Sequence, residues 1–108
     1  MPIYNKLVRD KIPEVIERSG KVSNTRILSD DGYKQELKKK LQEELEEYLT
    51  ASDDQSAIEE LADMLELIHA ITAIHGSTME QLEKVRIKKL TERGGFKDKI
   101  FLIEVADA

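Results

Sequence analysis

Residues 56–76 read SAIEELADMLELIHAITAIHG, a stretch whose apolar side chains recur at helical spacing on two adjacent sides. On a helical wheel of about 100° per residue, these side chains cover roughly 200° of the circumference. One stripe comprises Ile58, Leu61, Leu65 and Ile68, and the second comprises Met64, Leu67, Ile71 and Ile74. A helix this apolar must be covered by neighbouring helices, so the stretch predicts a helical bundle.

Three more helices are predicted from the residues that begin and end helices. The central helix begins with a capping box, Ser56 to Glu59, and ends at His75-Gly76. A helix over residues 33–51 precedes it, after the capping residues 29–32, and a second capping box, Ser77 to Glu80, opens a helix that ends near residue 92. A short helix is predicted over residues 13–18. The tail contains Ile100-Phe-Leu-Ile103 and is predicted to be a strand or an extended docking segment.

Short connections between long helices favour antiparallel neighbours. The predicted fold is therefore all-α: an antiparallel helical bundle, completed by oligomerisation, with a short extended C-terminal tail. Residues 1–108 form one domain. Because two neighbours cannot cover so apolar a helix, we expect a homodimer or a dimer of dimers, with Leu67, Ile71 and Ile74 at the interface. The alternative is that the tail folds back over this face within one chain.

Composition narrows the functional classes. The chain has no Cys, which excludes disulfides and thiolate sites, and no apolar run of membrane-spanning length. Its first residues lack a signal-peptide pattern, so we expect a cytoplasmic protein without a membrane partner. A net charge of −5 argues against a nucleic-acid partner. Local basic clusters near acidic segments suit a small phosphorylated ligand instead.

Two acidic segments lie at helical spacing in this otherwise apolar region. They read Glu43-Glu44-x-x-Glu47 and Glu60-x-x-Asp63, and each places two acids about 5–6 Å apart between Cβ atoms on one helix face. On the wheel, Glu60 and Asp63 fall within an apolar stripe of their helix. Glu44 lies on the margin of the apolar stripe of the preceding helix, which comprises Leu37, Leu41, Leu45, Tyr48 and Leu49.

Ionised carboxylates on inward-facing surface need cationic partners, because an unpartnered buried charge costs several kcal/mol. No Lys or Arg occurs between Lys40 and Lys84. Two acid pairs on facing helices would instead form a cage for a hard divalent cation. The alternative is that these residues are ordinary surface acids, since 36% of the chain is charged and Glu is a good helix former.

The two acidic motifs, in this order, resemble the signature of the MazG-like all-α nucleotide pyrophosphohydrolases. The ends of the chain strengthen the resemblance. Tyr4-Asn-Lys-Leu-Val-Arg-Asp-Lys-Ile-Pro-Glu14 and Lys89-Leu-x-Glu-Arg-Gly-Gly-Phe96 are similar to the subgroup described as phosphoribosyl-ATP pyrophosphohydrolase-like. The resemblance therefore spans nearly the whole chain.

The resemblance implies an enzyme that hydrolyses the α–β phosphoanhydride of a nucleotide and releases a monophosphate and pyrophosphate. By motif position, the ligands of Mg²⁺, or of Mn²⁺ as the alternative ion, are Glu44, Glu47, Glu60 and Asp63. Glu43 is the remaining acid of the first motif, and it would position the attacking water or support the ligands. The expected catalytic set therefore comprises all five acids.

Basic residues are needed to bind the leaving pyrophosphate. Lys84, Lys88 and Arg93 recur at about helical spacing, and Lys6 and Arg9 are the candidates near the beginning of the chain. Taken singly, each is also compatible with a solvated surface position. Two other functions stay open: a phosphoribosyl-ATP pyrophosphohydrolase of histidine biosynthesis, and a non-catalytic helical oligomerisation or adaptor module.

Overall fold

The computed structural model describes residues 2–107, and this part of the chain is all-α without a strand. Its helices are α1 (Ile12–Arg18), α2 (Asp30–Leu49), α3 (Asp54–Ile74) and α4 (Met79–Arg93). The predicted all-α class and the four predicted helices are confirmed. The tail is not a strand, because residues 100–107 form no regular secondary structure.

The three long helices each begin at a side chain that accepts a backbone hydrogen bond. The Ser29 hydroxyl accepts from the Gly32 N–H at 3.2 Å, and an Asp53 carboxylate oxygen accepts from the Ser56 N–H at 2.7 Å. The Thr78 hydroxyl accepts from the Gln81 N–H at 3.2 Å. The predicted capping boxes at Ser56 and Ser77 were therefore wrong. Asp53 and Thr78 are the residues with the extended backbone that an N-cap requires.

Helix α3 ends where the glycine signal predicted. Its last helical residue is Ile74, and Gly76 follows with φ +71°. In this conformation the Gly76 N–H donates to the Ala73 carbonyl and the Ser77 N–H donates to the Thr72 carbonyl. Both bonds satisfy carbonyls that the end of the helix leaves unpaired, and glycine adopts the positive φ without steric cost.

Helices α2 and α3 form an antiparallel hairpin, joined by residues 50–53, that contains most of the interhelical packing. Leu37, at 2% exposure, is the one buried apolar residue within residues 2–107. Helix α4 contacts α3 only sparsely, and every residue from 80 to 93 is exposed. Helix α1 packs against no other helix of the described chain. The bundle within one chain is thus reduced to a two-helix hairpin.

Much of the predicted buried surface is exposed, because α2 and α3 have only each other as substantial neighbours. The exposed apolar side chains form a surface that we term the hairpin face: Leu45, Leu49, Ile58, Leu61 and Leu65. Tyr48, also predicted to be buried, is exposed as well. The residues predicted to form a subunit interface, Leu67, Ile71 and Ile74, are already half-buried within the chain.

The chain is too extended for a compact monomer of its length. Its radius of gyration is 18.8 Å and its extents are 67 × 36 × 22 Å, whereas about 13 Å is typical of a compact 108-residue domain. The tail contributes to this shape, since Phe101 is 88% exposed and Ile100, Leu102 and Ile103 are similarly open. In this structure the tail therefore leaves the hairpin uncovered. No helix among residues 2–107 has the length and apolarity needed to cross a membrane.

Candidate metal centre

Three of the predicted metal ligands meet between α2 and α3. Glu44 and Glu47 are one helical turn apart on α2, and Glu60 faces them from α3. One carboxylate oxygen from each lies within 4.8 Å of the other two. The antiparallel hairpin brings them together because both acidic motifs lie near the connection between the helices. We term these three residues the acid cluster.

The acid cluster contains buried oxygens that no protein donor satisfies. Glu44 is only 7% exposed and Glu60 is half-buried, while Glu47 opens to solvent. Oε2 of Glu44 and Oε2 of Glu60 are buried and accept no hydrogen bond from the described chain. A buried oxygen without a donor is costly, and a hard cation is a chemically suitable partner for several such oxygens. The donor set therefore fits a Mg²⁺-type ion.

Crowding of the acids changes their proton affinities. Burial raises the pKa of Glu44 to about 7, and the adjacent carboxyl groups of Glu60 and Glu47 and the charges of Glu47 and Asp63 contribute to this rise. For Glu60, the adjacent Glu44 carboxyl group is the largest influence and lowers the pKa. The adjacent Glu47 carboxyl group, desolvation and the charges of Glu47 and Asp63 together outweigh it and raise the pKa overall. Without a cation, the cluster therefore tends to keep a proton near neutral pH.

Asp63, the fourth predicted ligand, lies beside the acid cluster but has a different partner. Its Oδ1 is 2.6 Å from Nη2 of Arg9, which donates a hydrogen bond to it. Asp63 is nevertheless close enough for its charge to raise the pKa values of Glu44 and Glu60. The N-terminal segment thus crosses the hairpin and places one guanidinium next to the cluster.

Lys40 lies beside the acid cluster, although it was not among the predicted site residues. Its Nζ lies 4.0 Å from Oε1 of Glu44 and 3.9 Å from Oε2 of Glu43. The signal was available, because residues three and four apart on a helix are neighbours. Glu43 itself is about half exposed and points toward this lysine rather than joining the acid cluster.

The predicted phosphate-binding residues divide into two groups. Arg9 contacts Asp63, and Lys6 lines a surface depression with Glu43 and Lys40, so both lie near the acids. Lys84 and Lys88 pair with acids of their own helix, Glu80 at 3.8 Å and Glu92 at 4.0 Å. Arg93 lies in the last turn of the same helix. No ion pair joins these three α4 residues to the acid cluster in residues 2–107.

Comparison with known proteins adds one relative of unknown activity. An uncharacterized protein of Mycolicibacterium smegmatis is 46% identical over 54 residues, which cover 50% of this chain and 55% of the relative. The chain thus spans about half the length of that relative. No family model matches the chain. No solved structure matches it either.

Proposed function

We propose that this protein is a metal-dependent nucleotide pyrophosphohydrolase that cleaves the α–β phosphoanhydride of a nucleoside triphosphate or a related nucleotide. The observation that carries the proposal is the acid cluster, with its two buried and unpartnered oxygens. Mg²⁺ is commonly bound by one or two protein carboxylates together with the phosphates of a substrate, and a nucleotide supplies such phosphates. The resemblance of both acidic motifs and both chain ends to MazG-like pyrophosphohydrolases supports the same reaction.

Mg²⁺ is the proposed cofactor, with Mn²⁺ as the alternative ion. Glu44, Glu47 and Glu60 would hold it, and Asp63 would be available as a further ligand if Arg9 released it. The bound ion supplies neutralisation of phosphate charge and increased acidity of a bound water. Open coordination positions are expected, because Mg²⁺ retains waters and takes substrate oxygens alongside protein carboxylates.

The protein residues have distinct roles in the proposed hydrolysis. Glu43 would position the attacking water, which forms one new bond to the α-phosphorus and releases a proton to the solvent as the bridging P–O bond breaks and pyrophosphate leaves. Arg9 and Lys6 are near enough to the acids to bind phosphate oxygens. Lys84, Lys88 and Arg93 reach the phosphates only if another subunit brings its α4 to the site. The working protein is, in this proposal, a cytoplasmic homodimer or dimer of dimers.

The proposal is tested by measuring pyrophosphate release from ribo- and deoxyribonucleoside triphosphates and from phosphoribosyl-ATP, with Mg²⁺ or with EDTA. We expect Mg²⁺-dependent release that Glu60→Gln lowers at least about a hundredfold, since even changes beyond the ligands cost metal enzymes ~10–100-fold. Glu59→Gln is the matched control. It removes the same charge from an exposed neighbour on α3.

The outcomes separate the possible functions. Release from phosphoribosyl-ATP alone would assign the histidine-pathway reaction. A folded protein that releases pyrophosphate from no substrate and does not bind Mg²⁺ would contradict the enzyme and leave the helical adaptor. Equal activity in Glu60→Gln and Glu59→Gln would show that the reaction does not use the acid cluster.

A further inference from the structure

The hairpin face is an apolar surface without a partner in its own chain. Leu49, Ile58 and Leu65 are each more than half exposed. By helical spacing, Leu45 lies on the same side of α2 as Leu49, and Leu61 lies on the same side of α3 as Ile58 and Leu65. All five come from the end of the hairpin near the connection between α2 and α3. Single exposed apolar residues are ordinary on a protein surface, whereas a contiguous apolar patch of this kind marks a binding surface.

The amount of exposed surface indicates how large the missing partner is. The chain exposes 10106 Å², whereas a compact monomer of 12.4 kDa exposes about 6,100 Å². The difference is roughly 4,000 Å² per chain, and obligate homodimers bury about 2,000–5,000 Å² in total. The surface left open by one chain is therefore sufficient for an obligate interface with a second copy.

A complementary surface lies at the other end of the same chain. Helix α4 and the tail, residues 79–105, expose apolar side chains along their whole length: Leu82, Val85, Ile87, Leu90, Phe96, Ile100, Phe101, Leu102, Ile103 and Val105. Phe96 is almost fully exposed, and a large aromatic ring gains most from burial at an interface. This segment projects from the hairpin and has only sparse contacts with α3.

Charge distinguishes the two possible occupants of the hairpin face. The hairpin carries many acids and has no Lys or Arg between Lys40 and Lys84, so two hairpin faces placed together would repel each other. The segment 79–105 is net basic, because its five acids, Glu80, Glu83, Glu92, Asp98 and Glu104, are outnumbered by seven bases, Lys84, Arg86, Lys88, Lys89, Arg93, Lys97 and Lys99. Opposite charge therefore favours α4 and the tail over a second hairpin face.

We propose that α4 and the tail of one copy lie on the hairpin face of a second copy, and that the exchange is reciprocal in a closed two-fold dimer. The arrangement covers the apolar surface of both segments and places bases of α4 close to acids of the partner. It requires two copies of this chain and no other molecule. It holds whether or not the protein is an enzyme, so its test does not depend on the proposed function.

Site-specific cross-linking tests the proposal directly, because the chain has no cysteine of its own. A tagged Leu61→Cys chain and an untagged Phe101→Cys chain are coexpressed, and the complex is treated with a flexible bismaleimide. We expect a cross-linked species that contains one tagged and one untagged chain. Ala62→Cys is the matched control for Leu61→Cys, since Ala62 is exposed but lies about 100° away around α3.

Three results would overturn the proposal. Efficient cross-linking of Leu61→Cys chains to each other would assign the hairpin face to a second hairpin face. An intrachain cross-link in the double variant Leu61→Cys/Phe101→Cys would show that the tail covers its own chain. A monomeric mass by light scattering, without the mixed species, would exclude the interface altogether.

A charge inserted into the hairpin face provides a second test. Leu65→Glu should raise the dimer dissociation constant at least about thirtyfold, the change expected for a central interface residue. Ala62→Glu adds the same charge to the same helix outside the face and should leave the constant within about threefold. Equal dissociation constants for the two variants, both folded by circular dichroism, would contradict the proposed surface.

Discussion

Glu44 influences both the stability of the metal-free protein and the proposed metal binding. It is the most deeply buried acid of the described chain, and its carboxyl group contacts no donor at Oε2. A carboxyl group in such surroundings is more stable with a proton or beside a cation than as a free anion. The same group that would bind a metal therefore destabilises the metal-free fold near neutral pH.

This leads to a prediction for the metal-free protein. Because the pKa of Glu44 is about 7 in the folded chain and near 4.5 when unfolded, the folded state binds more protons between these values. The free energy of unfolding should therefore fall as pH rises from about 4.5 to about 7, as measured by urea denaturation in EDTA. Glu44→Gln should weaken this dependence and stabilise the protein at pH 8. Glu46→Gln, on an exposed position of α2, should do neither.

Arg9 allows a second prediction at this scale. Both side chains of the ion pair between Arg9 and Asp63 are substantially exposed to solvent. Arg9→Met should therefore change the free energy of unfolding by only about 0–1 kcal/mol. If Arg9 binds substrate phosphate, the same change should lower kcat/KM about tenfold or more. Lys21→Met is the control, because Lys21 is an exposed base in the segment between α1 and α2. Equal kcat/KM for both variants would remove Arg9 from the substrate site.

The acid cluster shows what the sequence could predict about the site. Helical spacing alone placed Glu44 and Glu47 on one face, and the antiparallel connection brought Glu60 to them. The pairing of Asp63 with Arg9 was not predictable, because the two residues are 54 positions apart and their contact depends on the path of the irregular N-terminal segment. Lys40 was predictable from its spacing to Glu44.

At the scale of the elements, the sequence predicted helix ends more accurately than helix starts. Glycines marked the ends of α3 and α4 correctly, whereas the serines predicted to cap these two helices are not their N-caps. Gly76 and Gly94 both adopt positive φ at the ends of α3 and α4, a conformation that few other residues share. By contrast, several adjacent side chains before α3 can act as an N-cap. The choice of Asp53 depends on which residue has the extended backbone, and spacing to a later glutamate does not determine that.

The cap of α3 is open to a direct test. Asp53→Ala should lower the midpoint of thermal unfolding measurably, because the Ser56 N–H loses its acceptor at the positive end of the helix. Ser56→Ala should change the midpoint much less, since that hydroxyl is not the cap. The pKa of Asp53 is lowered by its hydrogen bond with Ser56, so the Asp53 contribution should be lost as pH falls through this pKa. A larger effect of Ser56→Ala would restore the predicted capping box.

At the scale of the whole molecule, the sequence predicted an incomplete bundle but not its exposed surface. The width of the apolar pattern in α3 predicted that neighbours within one chain would leave part of this helix uncovered, and Ile58, Leu61 and Leu65 are exposed. Periodicity identifies which residues share a face, but it does not say which helix will cover that face. Leu67 and Ile71, which were predicted to lie at a subunit interface, are therefore half-buried within the chain. Leu61 and Leu65, which were predicted to be covered, are exposed instead.

A chain that depends on a second copy should unfold in a concentration-dependent way. We expect the midpoint of thermal unfolding to rise with protein concentration, because mass action favours a folded dimer over unfolded monomers. The measurement is differential scanning calorimetry across a hundredfold range of concentration. A midpoint that does not change, together with a monomeric mass, would show that the extended chain is stable alone.

The charges of α4 should influence how quickly the proposed dimer assembles. Glu80 pairs with Lys84, Glu83 with Arg86, and Lys88 with Glu92, and each such pair adds ~0.2–0.5 kcal/mol to the stability of the helix. In the proposed dimer, the net basic α4 and tail of one chain are attracted to the acidic hairpin of its partner. The association rate constant should accordingly reflect diffusion and long-range attraction, and it should increase as ionic strength is lowered.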